Sequence, residues 1–292
     1  MKKYLLIRMI PFLAFILMVP FLPPTHGDPI GEISIDYQHL IHRLSQDGFD
    51  PKFIISILTD SRVELIPSFM TVSLNSTETK ELYDRFLSQE SIGLSKKFLQ
   101  ENRKFLSEVE SKHHVDKEII VAILLVESRF GENIGKYRVF STLVSRALMD
   151  TQDNLQKNYD LLQKMNSGLS YEWLEGWAKR RATWAYYELK CFLKIIQDEK
   201  MDPLEVQGSS FGALGMAQFI PSSYLAFAIS REGFEGWLFN KEEAISSIAN
   251  YLKLHGWKKK LSLKKKKRIL WYYNRSIPYG ETILQIAQRI KH

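Results

Sequence analysis

Among the acids of this 292-residue chain, Glu127 stands apart because of what precedes it. Ile119 to Val126 reads IIVAILLV, apolar on every side, and a carboxyl group that ends such a run is drawn partly out of water. Desolvation disfavours the charged form, so the proton is held to higher pH, as a general acid working near neutrality requires. A glutamate at a helix end is more commonly a plain solvated residue, so position alone does not decide its chemistry. Two other stretches add to it. Gln207 to Tyr224 reads QGSSFGALGMAQFIPSSY, where glycines among small residues let backbone approach a flat polar group and Gln218 offers both a donor and an acceptor. Trp271 to Tyr279 reads WYYNRSIPY, in which rings supply apolar faces for sugar C–H groups while Asn274 and the phenols supply hydrogen bonds. The plainer readings are a glycine-rich turn between helices and a piece of aromatic core.

Two more features have both a chemical and a plain reading. Arg180-Arg181 can grip carboxylates in bidentate fashion or simply line a solvated helix face. Cys191, the single cysteine, sits in a helical-looking ELKCFL stretch and reads as a small core residue; alone, it forms no internal disulfide.

The elements that must position these residues read as helices almost throughout. Asp50-Pro51 starts one before Phe53–Leu58, with proline at a first helical position. Phe98, Leu99, Phe105, Leu106 and Val109 recur on one face, which predicts a single helix over residues 94–109. Asp116 to Glu118 opens the apolar run as a helix start and Gly131 stops it, leaving Glu127 at the rim of the core; a buried strand is the competing reading. There is no internal repeat, low-complexity tract or alternating strand pattern, so the expected class is mainly α.

Length and a 45% hydrophobic composition suffice for a substantial core. Lys2, Lys3 and Arg8, the apolar run Met9 to Leu22, and a small residue at Gly27 predict a cleavable signal peptide over residues 1–27 and hence export. The alternative, a membrane anchor, asks for a longer run than this one, about 20 residues, and Pro11 and Pro20 interrupt it. With no cysteine at the cleavage point, lipid attachment is not expected. The net charge of +7 is local: Lys258 to Arg268 holds eight cations and no acid, leaving 32 of the 40 basic residues against 33 acidic ones elsewhere. Basicity of this kind gives no reason to expect nucleic acid. The cluster reads either as a solvated loop or as a contact for an anionic polymer or membrane.

In order and content, Glu127-Ser128-Arg129-Phe130-Gly131, the GALGMAQFIPSSY element and Tyr273-Asn274 resemble lysozyme-like lytic transglycosylases, closest to the membrane-bound lytic murein transglycosylase B family, glycoside hydrolase family 103. Gly48-Phe49-Asp50, Arg180-Arg181, Pro203-Leu204 and the stretch Ala249 to Trp257 extend the resemblance over nearly the whole chain after the leader. It implies a lysozyme-like fold with an extended helical N-terminal part: a helical region over 28–110 packed on a catalytic region over 111–292, with a helical insertion near 153–177. It further implies that Glu127 is the lone catalytic acid, and that saccharide contacts fall on Tyr83, Ser128, Arg180, Arg181, Ser209, Gln218, Phe219, Tyr273, Asn274 and Tyr279.

The implied reaction uses one carboxyl twice, first protonating the oxygen between N-acetylmuramic acid and N-acetylglucosamine, then taking the proton of the muramic C6 hydroxyl as it closes a 1,6-anhydro ring. No cofactor is implied. The aspartate-rich calcium loop of the family's best-known member is replaced here by Ser230 to Trp237 (SREGFEGW), which lacks the aspartates a hard cation wants, so no metal is expected. The implied partners are peptidoglycan strands and cell-wall machinery in the periplasm, for a protein acting as a monomer. Two other readings stay open: a muramidase in which Glu132 or Asp150 activates water, and a non-catalytic peptidoglycan-binding protein.

Overall fold

The computed structural model describes residues 35–72, 78–165, 167–229 and 240–291. The expected leader over 1–27 and the Ser230–Trp237 stretch lie outside the described residues. In chain order the elements are α1 (Ile35–Gln46), α2 (Pro51–Leu58), α3 (Glu81–Asp84), α4 (Gln89–Glu101), α5 (Arg103–His113), α6 (Lys117–Ser128), β1 (Tyr137–Arg138), α7 (Val139–Ala147), α8 (Gln152–Lys164), α9 (Tyr171–Glu199), β2 (Gln207–Gly208), α10 (Pro221–Phe227), α11 (Lys241–Leu254), α12 (Leu263–Tyr273) and α13 (Ile277–Lys291). The mainly α expectation holds.

Helix starts follow the side chains that can cap them. Asp50 accepts from the Lys52 N–H at 3.0 Å ahead of Pro51, Ser170 caps α9 through the Trp173 N–H at 3.2 Å, and Asn240 caps α11 through Glu242 and Glu243. The single helix predicted over 94–109 is two. Asn102 leaves helical geometry (φ −108°, ψ 16°) and its side-chain amide donates to the Phe98 carbonyl at 2.8 Å, ending α4 before α5 begins.

Residues 110 and 111, the expected region boundary, both fall inside α5. The chain groups into two interleaved units, one within Asn75–Gly135 and Ala213–His292, the other within Ala14–Leu74 and Lys136–Gly212. In the first, α6 is the central helix, with α4, α5, α11 and α13 packed against it. Every residue from Ile119 to Val126 is buried, which is why a run apolar on all sides suits this place. The helical reading of the run is correct; the strand reading is not.

In the second unit α7 packs on the 29-residue α9, and β1 pairs antiparallel with β2, Tyr137 opposite Gly208. The region of the expected insertion near 153–177 contains α8, a turn and the start of α9. Leu155 and Leu162 of α8 pack with Leu174, Ala178 and Ala182 of α9. Cys191 is buried on α9, as expected, and burial pushes its thiol up to about 11. The basic cluster is only partly a loop: Lys258–Lys260 precede Ser262, which caps α12 through the Lys265 N–H, and Lys264–Arg268 lie on that helix.

Candidate active site

The site is built from the end of α6. After Ser128 the chain takes three consecutive left-handed residues, Arg129 (φ 49°), Phe130 (φ 60°) and Gly131 (φ 95°). Two are not glycine, so this turn is held by its surroundings. The Phe130 ring stacks on Phe98 of α4 with centroids 4.3 Å apart. Arg129 bonds Glu90 and Glu132. The Ser128 hydroxyl donates to the Met216 carbonyl at 2.8 Å and accepts from the Gly131 N–H at 3.0 Å. Ser128 is thus a buried tie between the end of α6 and the glycine-rich loop, with both hydroxyl functions engaged. Gly131 passes so close to Met216 that a β-carbon there would lie 3.3 Å from its side chain.

This turn leaves Glu127 in the last turn of α6, its carboxyl enclosed while part of the residue stays open to a small recess. Glu127, Gln218, Phe219, Ile220, Ser223, Tyr251 and Tyr273 line that recess. Burial pushes the Glu127 carboxyl up to about 8; the charge of Glu78 pushes the same way and the Tyr279 phenol opposes both. The negative end of the helix dipole adds to the pressure against ionisation. The Tyr279 hydroxyl is buried and faces this carboxyl, although the approach falls short of a well-aligned hydrogen bond.

The walls are fixed by their own bonds. Gln218, at φ 49°, donates its side-chain N–H groups to the carbonyls of Ile134 (3.0 Å) and Gly215 (2.8 Å), which leaves its amide oxygen as the remaining acceptor. Phe219 is buried against Tyr251 and Tyr273, each 5.7 Å away between centroids. The Tyr273 hydroxyl donates to the Ala217 carbonyl at 2.7 Å, and its ring lies nearly parallel to Tyr279. Burial drives both phenols well above their ordinary range. Asn274 is buried and closes α12, its N–H reaching the Leu270 carbonyl at 3.1 Å. Tyr83 is fully buried and donates to Glu78 at 2.7 Å.

One unit therefore brings together Glu127, Tyr83, Ser128, Gln218, Phe219, Tyr273, Asn274 and Tyr279. Arg180, Arg181 and Ser209 belong to the other. There Arg180 is exposed, whereas Arg181 is half-buried over the Trp177 ring at 4.6 Å, with burial pushing its guanidinium down. Ser209 is buried, and its hydroxyl accepts from the Phe211 N–H at 3.2 Å. The same unit holds a cation that sequence reading passed over. Arg146 is buried against Phe211 and Phe69 and donates to the Ser210 carbonyl at 3.0 Å; burial and the charge of Arg181 push it down to about 9. Of the two candidate second carboxylates, Glu132 is exposed and paired to Arg129, and Asp150 lies in the other unit. Glu78 and Tyr251 were not singled out from sequence: Glu78 sits in an ordinary polar stretch, and Tyr251 gave only the signal of a ring on a helix face.

Among the described residues, no three or more His, Cys, Asp or Glu side chains stand together as a metal site, and no helix is long and apolar enough to cross a membrane.

The family model for the transglycosylase SLT domain matches residues 35–267, most of the chain. The chain belongs to that family. The membrane-bound lytic murein transglycosylase B of Escherichia coli (strain K12) is 28% identical to this SLT-domain chain, over 80% of the chain and 66% of the relative, so the chain spans just under two thirds of that relative's length. The crystal structure of soluble lytic transglycosylase SltB1 from Pseudomonas aeruginosa shares the fold, with TM-score 0.69 and 22% identity over 87% of this chain and 97% of that one. So does SltB3 from Pseudomonas aeruginosa in complex with NAG-anhNAM-pentapeptide, with TM-score 0.58 and 22% identity over 76% and 52% of the two chains. The lysozyme-like transglycosylase fold expected from the motifs is the fold of this SLT-domain chain.

Proposed function

We propose that this chain is a peptidoglycan lytic transglycosylase that cleaves the β-1,4 bond between N-acetylmuramic acid and N-acetylglucosamine and leaves 1,6-anhydro ends. The observation that carries the reading is Glu127: a carboxyl held protonated near neutral pH, up to about 8, at the wall of a recess lined by rings and one glutamine. The family membership and the peptidoglycan fragment bound to SltB3 support the substrate class.

In the first step Glu127 gives its proton to the bridging oxygen as the bond from that oxygen to C1 breaks. In the second, the C6 hydroxyl of the same sugar bonds to C1 and its proton passes to the Glu127 carboxylate, so the acid is regenerated and no water is consumed. A pKa near the working pH suits a group that must do both. An internal hydroxyl held in place can reach an effective concentration of ~10⁵ M or more, well above that of bulk water. The rings of Tyr273, Phe219 and Tyr251 shape the wall beside the acid, and the Gln218 amide oxygen is the remaining acceptor for a sugar hydroxyl or amide. Arg180 and Arg181 would serve the carboxylates of the muramic lactyl ether and peptide stem. The protein would act after export, on the cell wall.

Mass spectrometry of sacculi digested with the purified protein tests this. Muramic ends should be one water lighter than hydrolysed ends, with no free reducing end. Predominantly hydrated ends would establish a muramidase, and binding without release of fragments would establish a non-catalytic protein.

A further inference from the structure

One acid tied to this site is one the motifs did not mark. Glu78, in the segment leading into α3, accepts a hydrogen bond from the Tyr83 hydroxyl at 2.7 Å. The same hydroxyl reaches Ser276 Oγ at 3.3 Å, and that oxygen accepts from the Tyr279 N–H at 3.2 Å, so α3 is pinned to the start of α13. The Tyr83 ring meets Tyr279 edge-on with centroids 6.2 Å apart, and the Tyr279 phenol faces Glu127. A continuous path of contacts thus runs from carboxylate to phenol to phenol to carboxyl. Its two ends differ in setting: Glu78 keeps partial contact with solvent, while the Glu127 carboxyl is enclosed.

A negative charge at the open end of this path opposes ionisation of the enclosed Glu127 carboxyl, which burial already disfavours. Resting on the reading of Glu127 as the acid of glycan cleavage, we propose that Glu78 is a positioning residue for Glu127: it holds the Tyr83 phenol against Tyr279 and, by its charge, keeps the proton on Glu127 until the glycosidic oxygen takes it. After that transfer the same repulsion makes the Glu127 carboxylate a stronger base for the C6 hydroxyl proton.

The other groups around α6 leave this role to Glu78. Tyr83, Tyr273 and Tyr279 are neutral in the working range because burial pushes their phenols up. On α4, Glu90 is paired with Arg129; on α5, Glu110 is paired with Lys117 at the far end of α6. From α11, Tyr251 lines the recess and Glu243 is buried in the first turn.

The test is kcat/KM on sacculi as a function of pH for the parent, Glu78→Gln, Tyr83→Phe and Glu127→Gln, with melting temperatures alongside. Glu78→Gln should fold, still release anhydro products, and lose activity on the alkaline side at a pH lower by ~0.5 unit or more, the scale of one screened like charge. Tyr83→Phe, which frees Glu78 from its anchor, should move the same limb in the same direction by less, and it decides the matter if Glu78→Gln does not fold. An alkaline limb that coincides with the parent's overturns the positioning role. So does a loss at every pH as deep as that of Glu127→Gln, which would make Glu78 catalytic. Parent-like activity in Glu127→Gln would overturn the reading of the acid itself.

Discussion

Helices α6 and α12 belong to the same unit, and each carries charge at the end where the helix dipole opposes it. Glu127 stands in the last turn of α6, at the negative pole; Lys264 and Lys265 stand in the first turn of α12, at the positive pole. The arrangement is similarly unfavourable in sign, yet the outcomes differ because the surroundings differ. The lysines are exposed, so water screens them and the misplacement costs little. Around the Glu127 carboxyl there is little water, so the same kind of misplacement joins desolvation and the Glu78 charge in holding a proton. Burial is what turns an awkward charge into a usable acid.

The largest effect should come from removing that acid. Glu127→Gln keeps the shape of the side chain but has no proton to give, and release of soluble fragments should fall by ~10²–10⁴-fold or more. The same variant should be more stable than the parent. The folded carboxyl binds its proton to about 8, above the ordinary carboxylate range, so between roughly pH 4.5 and 8 the folded state holds more proton than the unfolded one and stability falls as pH rises. The advantage of Glu127→Gln should therefore be small at pH 4.5 and grow to about 1–3 kcal/mol at pH 8. Equal melting temperatures at both pH values would show that the carboxyl is better solvated than the structure places it.

A smaller effect is expected from the tie that sets the acid's place. Ser128→Ala would leave the Met216 carbonyl and the Gly131 N–H without their buried partner, and the urea midpoint should fall by the equivalent of about 1–3 kcal/mol. No change would mean that the turn is held by Phe130 and Arg129 alone. The smallest effect belongs to the exposed end of the comparison. Lys264→Glu with Lys265→Glu should add about 0.3–1 kcal/mol of stability per residue at low salt, read as a small rise in melting temperature, and the gain should vanish at high salt. A gain that persists in salt would contradict the screened picture of α12.

Glu127 and its helix were legible because one local signal, an unbroken apolar run closed by glycine, has a direct structural meaning. The break at Asn102 was not, since Phe98, Leu99, Phe105 and Leu106 keep helical spacing across it and only the amide bond to the Phe98 carbonyl reveals the turn. Gln218, Phe219 and Tyr273, expected as saccharide contacts, line the recess beside the acid, but the bonds that hold Gln218 to Ile134 and Tyr273 to Ala217 reach backbone far away in sequence. Glu78 had no local mark at all, because its role is given by Tyr83 and by Ser276 beside α13. Ser128 was legible as a motif residue, while its tie to Met216 was not. The two adjacent arginines read as a pair but differ in setting, Arg180 exposed and Arg181 laid over Trp177.

The interleaving of the two units also sets an order of events during synthesis. A growing chain that has emerged as far as Gly135 already contains the acid and its apolar helix, but Lys136–Gly212 must follow before Gln218, Tyr251, Tyr273 and Tyr279 appear. Until then α6 has neither α11 nor α13 to cover it and Glu127 has no wall. Contacts this distant in sequence form late and slow the folding of an otherwise helical protein. The acid is therefore made early and armed late: a partly synthesised chain holds Glu127 as an ordinary glutamate in water.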